Sequence, residues 1–166
     1  MSRAFVKEDD QGVAPLPDRP VSAARNLVTS RGLRLIERRV ADHRAELAAA
    51  TAAGDREAVG RASRELRYWT ARAATAELVE PPAEPDRVVF GTKVTVERDD
   101  GSEIIFHLVG EDEADPAQGL IAWTTPVAQA LLGSQVGDLR ELPTGRIEVV
   151  AIAVASEASD QAPPAT

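Results

Sequence analysis

Two runs of apolar residues constrain this chain more than any other feature. Leu33, Ile36, Val40, His43, Leu47 and Ala50 recur at spacings of 3, 4, 3, 4 and 3, and Val59, Ala62, Leu66, Trp69, Ala73 and Ala76 repeat the pattern. Such spacing lays every member along one stripe of an α-helix, the seam of a coiled coil. Gly54-Asp55 separates the runs. Glycine closes a helix in the left-handed conformation, and aspartate caps the next helix by accepting a bond from a free N–H of its first turn. Thr29 or Ser30 supplies the cap of the first helix. Two seamed helices joined by so short a turn fold back as an antiparallel hairpin. A little over twenty residues per helix predicts an arm about 30–35 Å long.

Apolar residues make up 43% of the 166 positions and aromatics only 4%, so a core must be built from Val, Ile, Leu and Ala. The absence of cysteine excludes disulfides, thiolate metal sites and cysteine nucleophiles. "MSRAFVKEDDQG" carries no apolar stretch of the signal-peptide kind, and no 18-residue apolar run occurs. The expectation is a cytoplasmic protein with no membrane partner. The net charge of −8 is unevenly spread. Residues 27–79 hold ten basic and seven acidic side chains, whereas 80–166 hold five and sixteen. An acidic C-terminal half does not suit a phosphate backbone, so nucleic-acid contact is expected to be weak or indirect.

Residues 1–26 ("GVAPLPDRPVS" among them) read as an extended or disordered tail, 27–79 as the hairpin, "EPPAEPD" within 80–87 as a linker, 88–155 as a second domain and 156–166 as another tail. In the second domain, Val94 and Val96 share one strand face, Asp99-Asp100-Gly101 reads as a hairpin turn, and Ile104, Phe106 and Leu108 share a face of the next strand. "GLIAW", "VGDLRELP" and "GRIEVVAIAV" supply further strands. Thr125, Pro126 and Gly133 bound one short helix. The predicted class is α+β: a coiled-coil hairpin followed by an antiparallel sheet with one helix packed on it.

No phosphate-binding loop or dinucleotide fingerprint is present, and His43 and His107 lie 64 residues apart without metal-site spacing. A self-contained catalytic set is not expected. The cluster Glu111, Asp112, Glu113, Asp115 lacks the alternating spacing of a calcium loop, and the expectation is a solvated turn between strands. Asp55 and Glu57 stand at the hairpin tip. They serve either as ordinary capping and helix-dipole residues or as carboxylates delivered into another protein's site.

Roughly residues 88–152 resemble the C-terminal domain of the Gre-type transcript cleavage factors of bacterial RNA polymerase. The likeness is carried by Phe90-Gly91, Val94, Asp99-Asp100-Gly101, Val109-Gly110, Asp112-Glu113-Ala114-Asp115-Pro116, Gly119, Ile121, Pro126, Ala130-Leu131-Leu132-Gly133 and Val136-Gly137-Asp138. The hairpin resembles the family's N-terminal coiled coil, and "RELRYWTARAATAELVEP" looks like the end of its second helix in the GreB branch. The resemblance implies an FKBP-like C-terminal domain that docks on the polymerase rim through Thr124, Thr125, Pro126 and Gln129. It implies a hairpin that enters the secondary channel, with Arg38, Arg39, Arg61, Arg64 and Arg67 lining the arm. It also implies tip acids, here Asp55 and Glu57, that share a Mg2+ ion with the polymerase during hydrolysis of backtracked RNA. The factor itself, a monomer, would be no enzyme and hold no cofactor of its own. The tip departs from the family's pattern: Glu57 follows Asp55 by two residues rather than three, and Asn, Ala and Tyr are absent. The helices are also shorter. An arm that occupies the channel without supporting cleavage, or that acts at initiation, is the alternative. A more remote one is an FKBP-like prolyl isomerase or chaperone.

Overall fold

The computed structural model describes residues 16–142 and 144–155; the tail readings for 1–15 and 156–166 lie outside these residues. Helix α1 spans Ser30–Ala53 and helix α2 spans Arg56–Ala74. Thr29 caps α1, its hydroxyl accepting from Gly32 N at 2.9 Å, and Asp55 caps α2, accepting from Ala58 N at 3.0 Å. Between them Gly54 takes φ 67°, and its N–H donates to Thr51 O at 3.1 Å. The left-handed turn reverses the chain at once, so the helices pack along each other. With 24 and 19 residues, they extend about 36 and 28 Å at 1.5 Å per residue.

The seam is buried where the heptads place it, at Ile36, Ala50, Ala62 and Trp69, with Leu33, Val40, His43, Leu47, Val59, Leu66 and Ala76 half-buried. One position departs. Ala73 is exposed, and its neighbour Arg72 is 1% exposed. The last turn of α2 leaves α1 and passes the second domain, so a different face is covered there.

A feature with no local signal closes the base of the hairpin. Strand β1 (Leu27–Val28) and strand β2 (Glu77–Leu78) form a parallel ladder, with Glu77 N donating to Asn26 O at 2.8 Å and Val79 N to Val28 O at 3.0 Å. Residues 16–26 run without regular structure alongside α2: Asp18 accepts from Arg67 Nε at 2.7 Å, and the Arg19 guanidinium stacks 3.8 Å from the Tyr68 ring centroid.

The second domain is a five-stranded sheet with strands β3 (Thr92–Arg98), β4 (Glu103–Val109), β5 (Leu120–Ala122), β6 (Leu139–Leu142) and β7 (Gly145–Val154), ordered β5-β4-β3-β7-β6. Helix α3 (Pro126–Leu131) starts at its Thr125 cap and ends before Gly133, which takes φ 81°. The sheet is mixed rather than wholly antiparallel: β4 and β5 run parallel. Between them, two 3-10 turns, Glu111–Glu113 and Pro116–Gln118, carry the chain back so that β5 begins with Leu120 opposite His107, in the second half of β4. Val94, Val96, Leu108, Ala128, Leu131 and Val149 are fully buried between sheet and helix. Each large aliphatic side chain there contributes about 1.5–3 kcal/mol by leaving water. The α+β class stands.

Candidate functional site

The tip of the arm carries both predicted acids. Asp55 is exposed and fixed by its role as cap: Oδ1 takes the Ala58 N–H. Glu57, in the first turn of α2, favours the positive end of the helix dipole. Its carboxylate is paired with Arg61 one turn on. Two carboxylates are too few to complete the six oxygens of a Mg2+ shell. Among the described residues no three His, Asp or Glu side chains gather as a metal set. The tip offers at most two protein ligands, so the remaining oxygens around an ion there would be water or groups of another molecule.

Along the arm, Arg38, Arg39, Arg61 and Arg67 are exposed and Arg64 is half-buried. They are not equivalent. Arg67 is held by Asp18, Arg61 by Glu57, and the Arg39 guanidinium lies 5.9 Å from the Trp69 ring centroid.

The loop before α3 gathers the remaining predicted residues. Thr125 donates its hydroxyl to Ala122 O at 2.8 Å and accepts from Ala128 N at 3.4 Å, which spends it on the cap. Pro126 and Gln129 are exposed; Gln129 Nε2 donates to Trp123 O at 2.7 Å and so stiffens the loop. Thr124 donates to Glu111 Oε1 at 3.3 Å.

That last bond leads to the main correction. The acidic cluster is not a solvated turn. Glu113 is 5% exposed and accepts from the Thr29 hydroxyl at 2.5 Å, with Arg31 at 3.8 Å. Asp112 receives Arg72 Nε at 2.6 Å and the Tyr68 hydroxyl at 3.1 Å. Glu111 lies 3.6 Å from the Arg72 guanidinium and accepts from the Ser22 hydroxyl at 3.0 Å. Only Asp115 behaves as expected, capping the second 3-10 turn through Ala117 N at 3.2 Å. The cause is Arg72. A guanidinium buried to this degree is tolerated only with its donors satisfied and its charge matched. Asp112 and Glu111 from one tight turn, with Asn26 Oδ1 at 2.6 Å, meet Arg72 in this way, while Glu113 is held at the start of α1 by Thr29 and Arg31. Burial, then the Asp112 charge and its hydrogen bond, raise the Tyr68 phenol above its ordinary value of 10.0. The close approach also explains a glycine inside α1: a Cβ at Gly32 would stand 2.7 Å from Glu113 Oε2.

Arg72, Tyr68 and Asn26 are not among the residues that the sequence points to. The one available signal is an arginine beside a seam position.

Between the base of α1 and the sheet lies a cleft of about 600 Å3, lined in part by Arg34, Lys93, Ile105 and His107, with no Phe, Tyr or Trp in its wall. Phe90 is 7% exposed and Phe106 packs against the core. The aromatic lining that a prolyl-isomerase pocket requires is absent from this cleft.

The profile described as "Transcription elongation factor, GreA/GreB, C-term" matches residues 82–156. A "Transcription elongation factor GreA 1" of Lactiplantibacillus plantarum is 34% identical over 149 residues, covering 78% of this chain and 95% of that protein. The chain belongs to the GreA/GreB family. A GreA of Desulfovibrio desulfuricans is 36% identical over 63% of this chain and 67% of its own length. A GreB of Neisseria meningitidis serogroup B is 38% identical over 55% of this chain and 58% of its own length. Relatives of both names thus match at similar identity, and the two branches are not separated. No helix among the described residues is long and apolar enough to cross a membrane.

Proposed function

We propose that this chain is a monomeric cytoplasmic regulator of transcription elongation that binds bacterial RNA polymerase. The loop at 124–126 and Gln129 dock it on the rim, and the hairpin enters the secondary channel with its arginines along the wall. The observation that carries this reading is the placement of exposed Asp55 and Glu57 at the far end of a braced arm, on a chain whose family is established by residues 82–156 and by a near full-length relative. At the tip, Asp55 would share a Mg2+ ion with the polymerase, and that ion would supply activation of the hydrolytic water.

A second reading has its own support. Glu57 follows Asp55 by two residues rather than three and lies in an exposed pair with Arg61, a departure from the family's tip that favours an arm that fills the channel without assisting cleavage. Purified polymerase stalled in a backtracked complex separates the two. Shortening of the RNA on addition of the protein, lost with Asp55→Ala, supports cleavage assistance. Inhibition of a known cleavage factor, unchanged by Asp55→Ala, supports channel occupation. If the protein neither shortens the RNA nor inhibits the cleavage factor, channel entry is overturned.

A further inference from the structure

The arm is useful only if it points the right way from the docked domain. Between Asp55 and Arg72 the arm is about 25 Å long at 1.5 Å per residue, so a tilt of about ten degrees at its base moves the tip by about 4 Å. Displacements far smaller than this degrade a positioned group. Something at the base must therefore fix the angle.

One buried charge cluster lies there and touches each element concerned. Arg72, in the last turn of α2, is 1% exposed. Its Nε donates to Asp112 at 2.6 Å, and a second nitrogen lies 3.6 Å from Glu111. Glu111 in turn accepts from Thr124 of the proposed docking loop at 3.3 Å and from Ser22 of the N-terminal segment at 3.0 Å. Tyr68, one turn before Arg72, closes on Asp112 at 3.1 Å.

We infer that Arg72 is a positioning residue: its pairs with Asp112 and Glu111 set the direction in which the hairpin leaves the C-terminal domain, and Glu111 links that setting to the docking loop through Thr124. A planar guanidinium between two carboxylates of one rigid turn has few alternative geometries, unlike the long surface pairs farther up the arm. The consequence for the polymerase rests on the function proposed above; the geometry does not.

The chain has no cysteine, so spin labels attach only where cysteines are introduced. Labels on Ala52→Cys near the tip and Glu103→Cys at the start of β4 report the angle of the arm in the full-length free protein. A single narrow distance is expected. Asp112→Asn should broaden it or shift it by about 4 Å or more, the tip displacement for a ten-degree tilt of a lever this long, while the helical circular dichroism is retained. Should Asp112→Asn lose its helices, Arg72→Lys carries the same test, since it keeps the charge and loses the fork. An unchanged distribution in a folded variant overturns the inference. Loss of helical signal in both variants also overturns it, because the cluster would then hold the fold and not the angle. A broadened distance in a chain whose parent has no effect on polymerase would leave the positioning role standing and remove the proposed function.

Discussion

The hydroxyl of Tyr68 donates to Asp112 Oδ1 at 3.1 Å, joining a helix of the arm to a turn of the sheet domain 44 residues away. Tyr68 is the one tyrosine in the chain, so its ionisation can be followed by near-ultraviolet absorbance at a single phenol. Burial first, and Asp112 second, hold its pKa above 10.0. The neutral phenol's contribution to stability is thus fully present below that value and is lost as pH rises through the folded pKa. The titration midpoint is expected above 10.0 in the parent. In Asp112→Asn it should fall but stay raised, because burial remains. A midpoint identical in both proteins would mean that the contact is not made in solution.

Two glycines should respond in opposite directions to alanine. Gly60 sits inside α2, and a Cβ added there would meet nothing within 4 Å, so Gly60→Ala should stabilise the chain by about 0.5–1 kcal/mol. At Gly110 the backbone is ordinary, with φ −67°, but a Cβ would meet Leu27 O at 2.5 Å. Gly110→Ala should destabilise by about 1–3 kcal/mol, the usual range for overpacking against a site that cannot yield. Thermal or denaturant melts of the two variants check both signs.

Asp55 has two candidate roles that one substitution can separate. Asp55→Asn keeps an oxygen for the Ala58 N–H and should leave stability within a few tenths of a kcal/mol, whereas Asp55→Ala should lose about 1 kcal/mol. If the tip carboxylate contributes to a shared Mg2+, both variants should lose polymerase-dependent RNA cleavage equally. Activity that follows stability, intact in Asn and reduced in Ala, would assign Asp55 to capping alone.

Leu131 is fully buried where α3 meets the sheet. Leu131→Ala should cost about 2–5 kcal/mol, the spread set by how far the helix settles into the void. The denaturation midpoint measures it, and a loss under about 1 kcal/mol would show that α3 is not packed as described.

Much of this molecule is legible in its sequence because its signals are local. The heptad spacings, the Thr29 and Asp55 caps, the Gly54 reversal and the Thr125-Pro126 start of α3 each depend on neighbours a few residues apart. What escapes depends on partners distant in the chain. The parallel ladder pairs Leu27 with Glu77, and the acids at 111–113 find Arg72 and Thr29. A dense acidic turn looks solvent-facing when its cation lies 40 residues upstream. The direction of β5 is hidden for a similar reason: the path of two 3-10 turns decides it, not its own three residues. For the candidate site, the tip and loop residues are readable by position, but which of them are already engaged is not: Glu57 with Arg61, Arg67 with Asp18, Thr124 with Glu111.

The strand order gives the molecule a timetable. β7 is made last among the strands yet lies inside the sheet, flanked by β3 and β6, with Thr92 opposite Val154. The hairpin needs only near neighbours and can form as soon as residue 74 is free of the ribosome, whereas the sheet cannot be finished until residue 154 has been added. For that interval the nascent chain presents a completed arm on an unfinished mount, with Arg72 still without the folded turn that holds Asp112 and Glu111 against it.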